Sequence, residues 1–85
     1  MTVHEFEQAV KDLEDIIIFV RASQRAEVGD YAYQRQASGR MSVSRWLETR
    51  IIPLIGDFEV QVMDGNQHKP HGRTQLTKVR DTYDW

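Results

Sequence analysis

The residues nearest to a ligand pair in this chain are His68 and His71, three positions apart in the run His68-Lys69-Pro70-His71. One such pair, broken by Pro70 and flanked by cations, is a poor site for a divalent metal. The expectation is no metal and two solvated loop histidines. Asp64-Gly65-Asn66 has the opening of a calcium loop, but the glycine is misplaced, and Gln75 stands where the bidentate Glu is needed. It reads as a plain turn. Serines, histidines and acids are present, yet no spacing sets a nucleophile, a base and an orienting group together. No glycine-rich phosphate loop occurs. Neither a cofactor nor catalysis is expected.

The charge layout is more informative. The 85 residues carry eleven Lys+Arg against thirteen Asp+Glu, a formal charge of −2. Residues 1–34 hold seven of the acids and three of the bases; residues 35–85 hold six acids and eight bases. Positive charge concentrates in two windows. Arg35, Arg40, Arg45 and Arg50 are offset only by Glu48. Lys69, Arg73, Lys78 and Arg80, with His68 and His71, meet no acid between Gly65 and Arg80. Clustered cations on a loop are what backbone phosphates require, so this segment is the candidate anion or nucleic-acid site. The negative total favours the plainer reading, a solvated loop that offsets an acidic first helix.

Two further features point to protein binding. Arg50 falls inside the apolar stripe of its helix, four residues after Trp46, where a guanidinium can lie on the indole face. Trp and Arg are the residue types enriched at interface hot spots. Ile18 and Phe19 leave the apolar stripe of the first helix, Ile18 projecting beside Glu7, Lys11 and Glu14 and Phe19 near Asp12 and Asp15, an apolar pair rimmed by carboxylates.

The elements that must position these residues follow from periodicity and capping. Thr2 and Glu5 form a capping box ahead of a helix expected over about residues 3–22. At about 100° per residue, Phe6, Ala9, Val10, Leu13, Ile16, Ile17 and Val20 share its core stripe, with Glu7, Lys11, Glu14 and Asp15 opposite. Residues 23–41 read poorly; Gly29-Asp30 suggests a turn and Tyr31–Arg35 a short strand or helical turn. Ser42 caps a second helix over about 43–52, with Val43, Trp46, Leu47, Ile51, Leu54 and Ile55 on one face and Pro53 stopping or kinking it. Strict alternation over Phe58–Val62 predicts a strand. Its mate is expected in Tyr31–Arg35, in the tail, or in a second copy of the chain. A basic loop spans 64–74. In the tail, 75–85, Leu76, Val79 and Tyr83 fit a helix, while Thr77, Val79, Tyr83 and Trp85 fit a strand.

Together these features predict one α+β domain, mainly helical, with a long N-terminal helix packed on a second one. The absence of cysteine excludes a disulfide-stapled scaffold and points to the cytoplasm. The longest apolar run, Ile16–Val20, is far below the roughly 20 residues that span a bilayer. The expected function is that of a non-enzymatic interaction or regulatory module, an inhibitor, adaptor or accessory subunit. Its expected partner is a protein, docked through Ile18, Phe19, Trp46 and Arg50; the alternative is a nucleic-acid-binding regulator. A small core and a strand without a local mate also predict self-association.

Overall fold

The computed structural model describes residues 1–84. Its first helix, α1, spans Val3–Glu14. The capping box is formed: Thr2 Oγ1 accepts from the Glu5 amide, and the Glu5 carboxylate accepts from the Thr2 amide at 2.9 Å. The next free amides of the first turn, on Val3 and His4, donate to the carbonyls of Ala26 and Gln24. The segment 23–41 therefore closes the start of α1.

The helix does not reach residue 22. Asp15 adopts a left-handed conformation at φ 56° and its amide returns to the Lys11 carbonyl, which ends the helix. The following run, Ile16-Ile17-Ile18-Phe19-Val20, is almost wholly β-branched and forms the strand β1 over Ile17–Val20. Burial alternates along it: Ile16, Ile18 and Val20 are in the core and Phe19 is exposed. A short apolar run fits either period, and here alternation prevails.

β1 pairs antiparallel with β2, Val60–Met63, in the register Ile17↔Met63, Ile18↔Val62, Phe19↔Gln61, Val20↔Val60. The mate of the second strand is thus a segment expected to be helix. It is neither Tyr31–Arg35, nor the tail, nor a second copy, and pairing within the chain removes the sheet's need for one. Residues 31–35 form neither strand nor helical turn. At the open end of the ladder, the Tyr83 hydroxyl accepts from the Ile17 amide at 3.1 Å and donates to the Met63 carbonyl, bridging that pair.

The second helix, α2, covers residues 43–55. It consists of an α-turn Val43–Trp46, a π-turn Leu47–Ile51 and a closing α-turn Ile52–Ile55. Ser42 caps it, accepting from the Arg45 amide at 3.2 Å. The helix passes through Pro53 instead of stopping before it. In the π-turn the Ile52 amide reaches back to the Leu47 carbonyl, and Pro53 then falls in the first turn of the resumed α segment. A missing amide proton is best tolerated there. Gly56, at φ 63°, ends the helix. Val43, Trp46, Ile51 and Ile55 are buried, and Leu47 and Leu54 pack at the core margin.

The third helix, α3, is the short Leu76–Arg80, with Leu76 and Val79 buried. Trp85, which the alternating reading of the tail included, lies outside the described residues. The chain before α3 lies against the start of α2: the amides of Val43 and Ser44 donate to the carbonyls of Thr74 and Gly72. The architecture is α+β, with three helices around a two-stranded antiparallel sheet. The N-terminal helix is about 18 Å long at 12 residues, shorter than expected. Among the described residues no helix is long and apolar enough to cross a membrane.

Gly65 holds the tail against the sheet. Its amide donates to Thr82 Oγ1 at 2.7 Å, and a Cβ on Gly65 would lie 1.8 Å from the Thr82 carbonyl oxygen. Gly65→Ala must therefore displace Thr82 and Tyr83. The expected loss is about 1–3 kcal/mol of stability, the range for forced overpacking. Chemical denaturation measures it, and faster hydrogen exchange at the Ile17 amide, which Tyr83 covers, locates it.

Candidate functional site

Val3, Phe6, Val10 and Glu14 share the buried face of α1. The last of them puts a carboxylate in the core with no solvent exposure. Its Oε2 accepts from the Tyr31 hydroxyl, from Trp46 Nε1 at 3.2 Å and from Arg50 Nη1 at 2.9 Å. Its Oε1 accepts from the Ala37 amide at 2.8 Å and from Arg80 Nη2 at 3.2 Å. Arg80 Nε also holds the Glu14 carbonyl at 2.8 Å. Two guanidiniums flank the carboxylate, with side chains 19% and 14% exposed for Arg50 and Arg80. A carboxylate is tolerated in a core only when it is so paired and hydrogen-bonded.

This network reassigns several residues. Glu14 was expected opposite the apolar stripe. At about 100° per residue the buried face of α1 lies roughly 60° from the expected stripe, because Ala9 and Leu13 sit at the core margin while Val3 and Glu14 are enclosed. Trp46 is wholly buried and its ring nitrogen serves Glu14, so it offers no surface for docking. Arg50 lies over the Tyr33 ring at 4.2 Å, not over the Trp46 indole, and donates to the Arg35 carbonyl. Ile18 is 2% exposed, in the core through strand alternation, and leaves the docking patch. Phe19 alone of that pair faces outward. Arg80 is committed to Glu14 and leaves the candidate phosphate cluster.

His68, Lys69, His71, Arg73 and Lys78 are all exposed. The loop that carries the first four is organised by its own main chain. Asp64 Oδ1 accepts from the amides of Asn66 and His68, closing the turn that the sequence suggested. His71 Nδ1 accepts from the Arg73 amide at 3.1 Å. No three metal-ligating side chains converge among the described residues.

A groove runs between α2 and the outer edge of β2. One cavity of about 580 Å³ is lined by Leu47, Ile52, Phe58, Val60, Arg21 and Lys69, among others. A second of about 300 Å³ adjoins it, sharing Leu47, Val60 and Lys69 and extending past Val62 to Pro70. Both fall in the size range of ligand pockets. Two of the large exposed apolar residues, Ile52 and Phe58, lie along it at 45% and 39% exposure. Arg21 and Glu59 pair at 3.5 Å on its rim, whereas Lys69 has no ion-pair partner among the described residues.

The main chain of β2 sets the character of this groove. The Arg21 amide donates to the Glu59 carbonyl at 2.8 Å, so the odd-numbered positions of that segment face β1. The amides and carbonyls of Val60 and Val62 point away from β1; Val60 is half-buried along the groove, whereas Val62 is only 2% exposed. Among the described residues they have no hydrogen-bond partner there. The outer edge of β1 is different: its Val20 amide donates to Glu7 Oε2 at 2.8 Å.

Two outcomes test the network. Glu14→Gln keeps the shape but leaves the guanidiniums without a charge partner; it should cost about 3–5 kcal/mol in denaturant titration, against little for the exposed control Asp12→Asn. The phenol of Tyr31 is pushed above its ordinary value of 10.0 by burial first and then by its bond to Glu14. A raised folded value means that the fold retains the proton while the unfolded chain releases it. The associated stability is therefore intact below pH 10 and falls as pH rises beyond it. Burial moves Tyr83 in the same direction. Thermal melts between about pH 9 and 11 should show this decline, and Tyr31→Phe should flatten part of it.

Comparison of the chain with protein-family models, with curated proteins and with solved structures gives no match.

Proposed function

We propose that this chain is a small non-enzymatic interaction module that docks another protein in the groove between α2 and β2. The observation that carries the reading is the exposed apolar pair Ile52 and Phe58 along the groove, beside the half-buried Val60. Exposed apolar surface gathered along a groove gains from being covered by a partner. The docking residues differ from those that the sequence suggested: Ile18, Trp46 and Arg50 build the core and its ion pairs, and Ile52, Phe58 and Val60 take their place. An inhibitor, an adaptor and an accessory subunit all use such a surface.

The rival is nucleic-acid binding through His68, Lys69, His71, Arg73 and Lys78. Without Arg80 that cluster has three full charges, and few phosphate contacts give weak binding at physiological salt. Selection of a random dodecapeptide display library on the immobilised full chain distinguishes the two. Enrichment of peptides that bind the wild type and lose affinity at least tenfold on Phe58→Asp or Ile52→Asp is expected, because the new carboxylate is buried unpaired. Both positions are exposed, so the fold should survive the change. An empty selection together with submicromolar, salt-sensitive binding of labelled oligonucleotides would reverse the assignment.

A further inference from the structure

We infer that the outer face of the sheet is a second docking surface, which takes a protein segment presenting an arginine beside an apolar residue, the guanidinium set against Phe19 and the carboxylates of Asp64 and Asp84. This surface shares no lining residue with the groove between α2 and β2. It follows from strand alternation, which sends successive side chains to opposite faces. Ile18, Val20 and Val62 fill the core, which leaves Ile17, Phe19 and Met63 on the other face. Phe19 is 48% exposed, more than any other large apolar side chain among the described residues, and Ile17 and Met63 are half-buried. With Tyr83, Asp64 and Asp84 these three side chains line a cavity of about 610 Å³, within the size range of ligand pockets.

Charge complementarity decides what covers it. The charged residues that line this cavity are both acids. Asp64 holds the Asn66 and His68 amides through Oδ1, which leaves its second oxygen with acceptor capacity. The cation that follows β1, Arg21, is already paired with Glu59 at 3.5 Å. Carboxylates beside an aromatic ring suit a planar guanidinium, which forks to an acid and stacks on a ring face. The chain itself uses this arrangement: Arg50 lies 2.9 Å from Glu14 and over Tyr33 at 4.2 Å. A lysine ammonium, a compact and strongly hydrated point charge, fits mixed apolar and acidic surface less well. A second copy of the chain also fits less well, because two copies meeting at this cavity bring like carboxylates together. Nucleic acid is repelled on the same ground.

The test selects a random dodecapeptide display library on the full chain carrying Phe58→Asp, which disables the groove between α2 and β2, so that the two docking surfaces stand or fall separately. Arginine next to an apolar residue should dominate the recovered peptides. A synthesised hit should bind the wild-type chain as tightly as the Phe58→Asp variant. It should lose about tenfold in affinity on Phe19→Thr, which keeps a β-branched residue in the strand. Changing the peptide's arginine to glutamine should cost about as much, and changing it to lysine less. Asp84→Arg should weaken the arginine peptide, and exchanging that arginine for glutamate should restore binding to the variant. Amide spectra of the isotope-labelled chain should shift at Ile17, Phe19 and Met63 and stay unmoved at Lys69, and the same spectra check that each variant is folded. Hits that require Phe19 but tolerate loss of the arginine would overturn the assigned chemistry. An empty selection, or hits indifferent to Phe19, would overturn this surface while leaving the α2–β2 groove untouched. A dimer in sedimentation that Phe19→Thr dissociates would assign the face to a second copy instead.

Discussion

The buried carboxylate of Glu14 joins every part of the chain that surrounds it. It stands in the last turn of α1, accepts from the Ala37 amide and the Tyr31 hydroxyl of the irregular segment 23–41, and accepts from Trp46 and Arg50 of α2 and Arg80 of α3. Most of these elements are too short to stand alone. α3 has five residues and each strand has four, and neither an isolated hairpin nor a one-turn helix is stable in water. Without cysteine the chain has no covalent substitute. A fully desolvated charge is unfavourable unless each lone pair is met, and that condition admits one arrangement of the donors. The apolar core supplies the driving force; Glu14 selects the geometry.

The same interaction shapes the surface at a distance. Trp46 and Arg50 seat α2, which forms one wall of the groove. Arg80 seats α3, and three residues later Tyr83 bridges Ile17 and Met63, which holds β2 as the other wall. The π-turn at Leu47–Ile51 carries the helix through Pro53 and places Ile52 outward beside Phe58. An open strand edge is ordinarily a hazard for self-pairing. Here the edge is short, Val62 on it is buried, and Lys69 lies beside it; these features oppose indiscriminate pairing.

The basic C-terminal half of the chain looks different once folded. Arg50 and Arg80 neutralise a buried acid instead of presenting charge to solvent. What remains outside includes Arg35, Arg40, Arg45 and Lys78, together with a loop carrying His68, Lys69, His71 and Arg73 whose turns are fixed by Asp64 and His71. Charge counted along a sequence overstates the field at a surface when some of it is paired inside.

Local determinants were readable from the sequence because they act within a few residues. Thr2 with Glu5, Ser42, the apolar face of α2 at Val43, Trp46, Ile51 and Ile55, the turn at Asp64 and the strand at Val60–Val62 all followed from capping chemistry and periodicity. The α+β class followed with them. What tertiary structure alone decided was the fate of Ile16–Val20, because an apolar run of five β-branched and aromatic residues suits a helix face and a strand equally until a partner strand is present. That one decision moved Ile18 into the core and gave β2 its partner strand. Glu14 continues the spacing of Val3, Phe6 and Val10, but only the packing, which leaves Ala9 and Leu13 at the core margin, makes that face the buried one. The partners of Glu14 lie 17 to 66 residues away along the chain, and no local pattern encodes a contact at that separation.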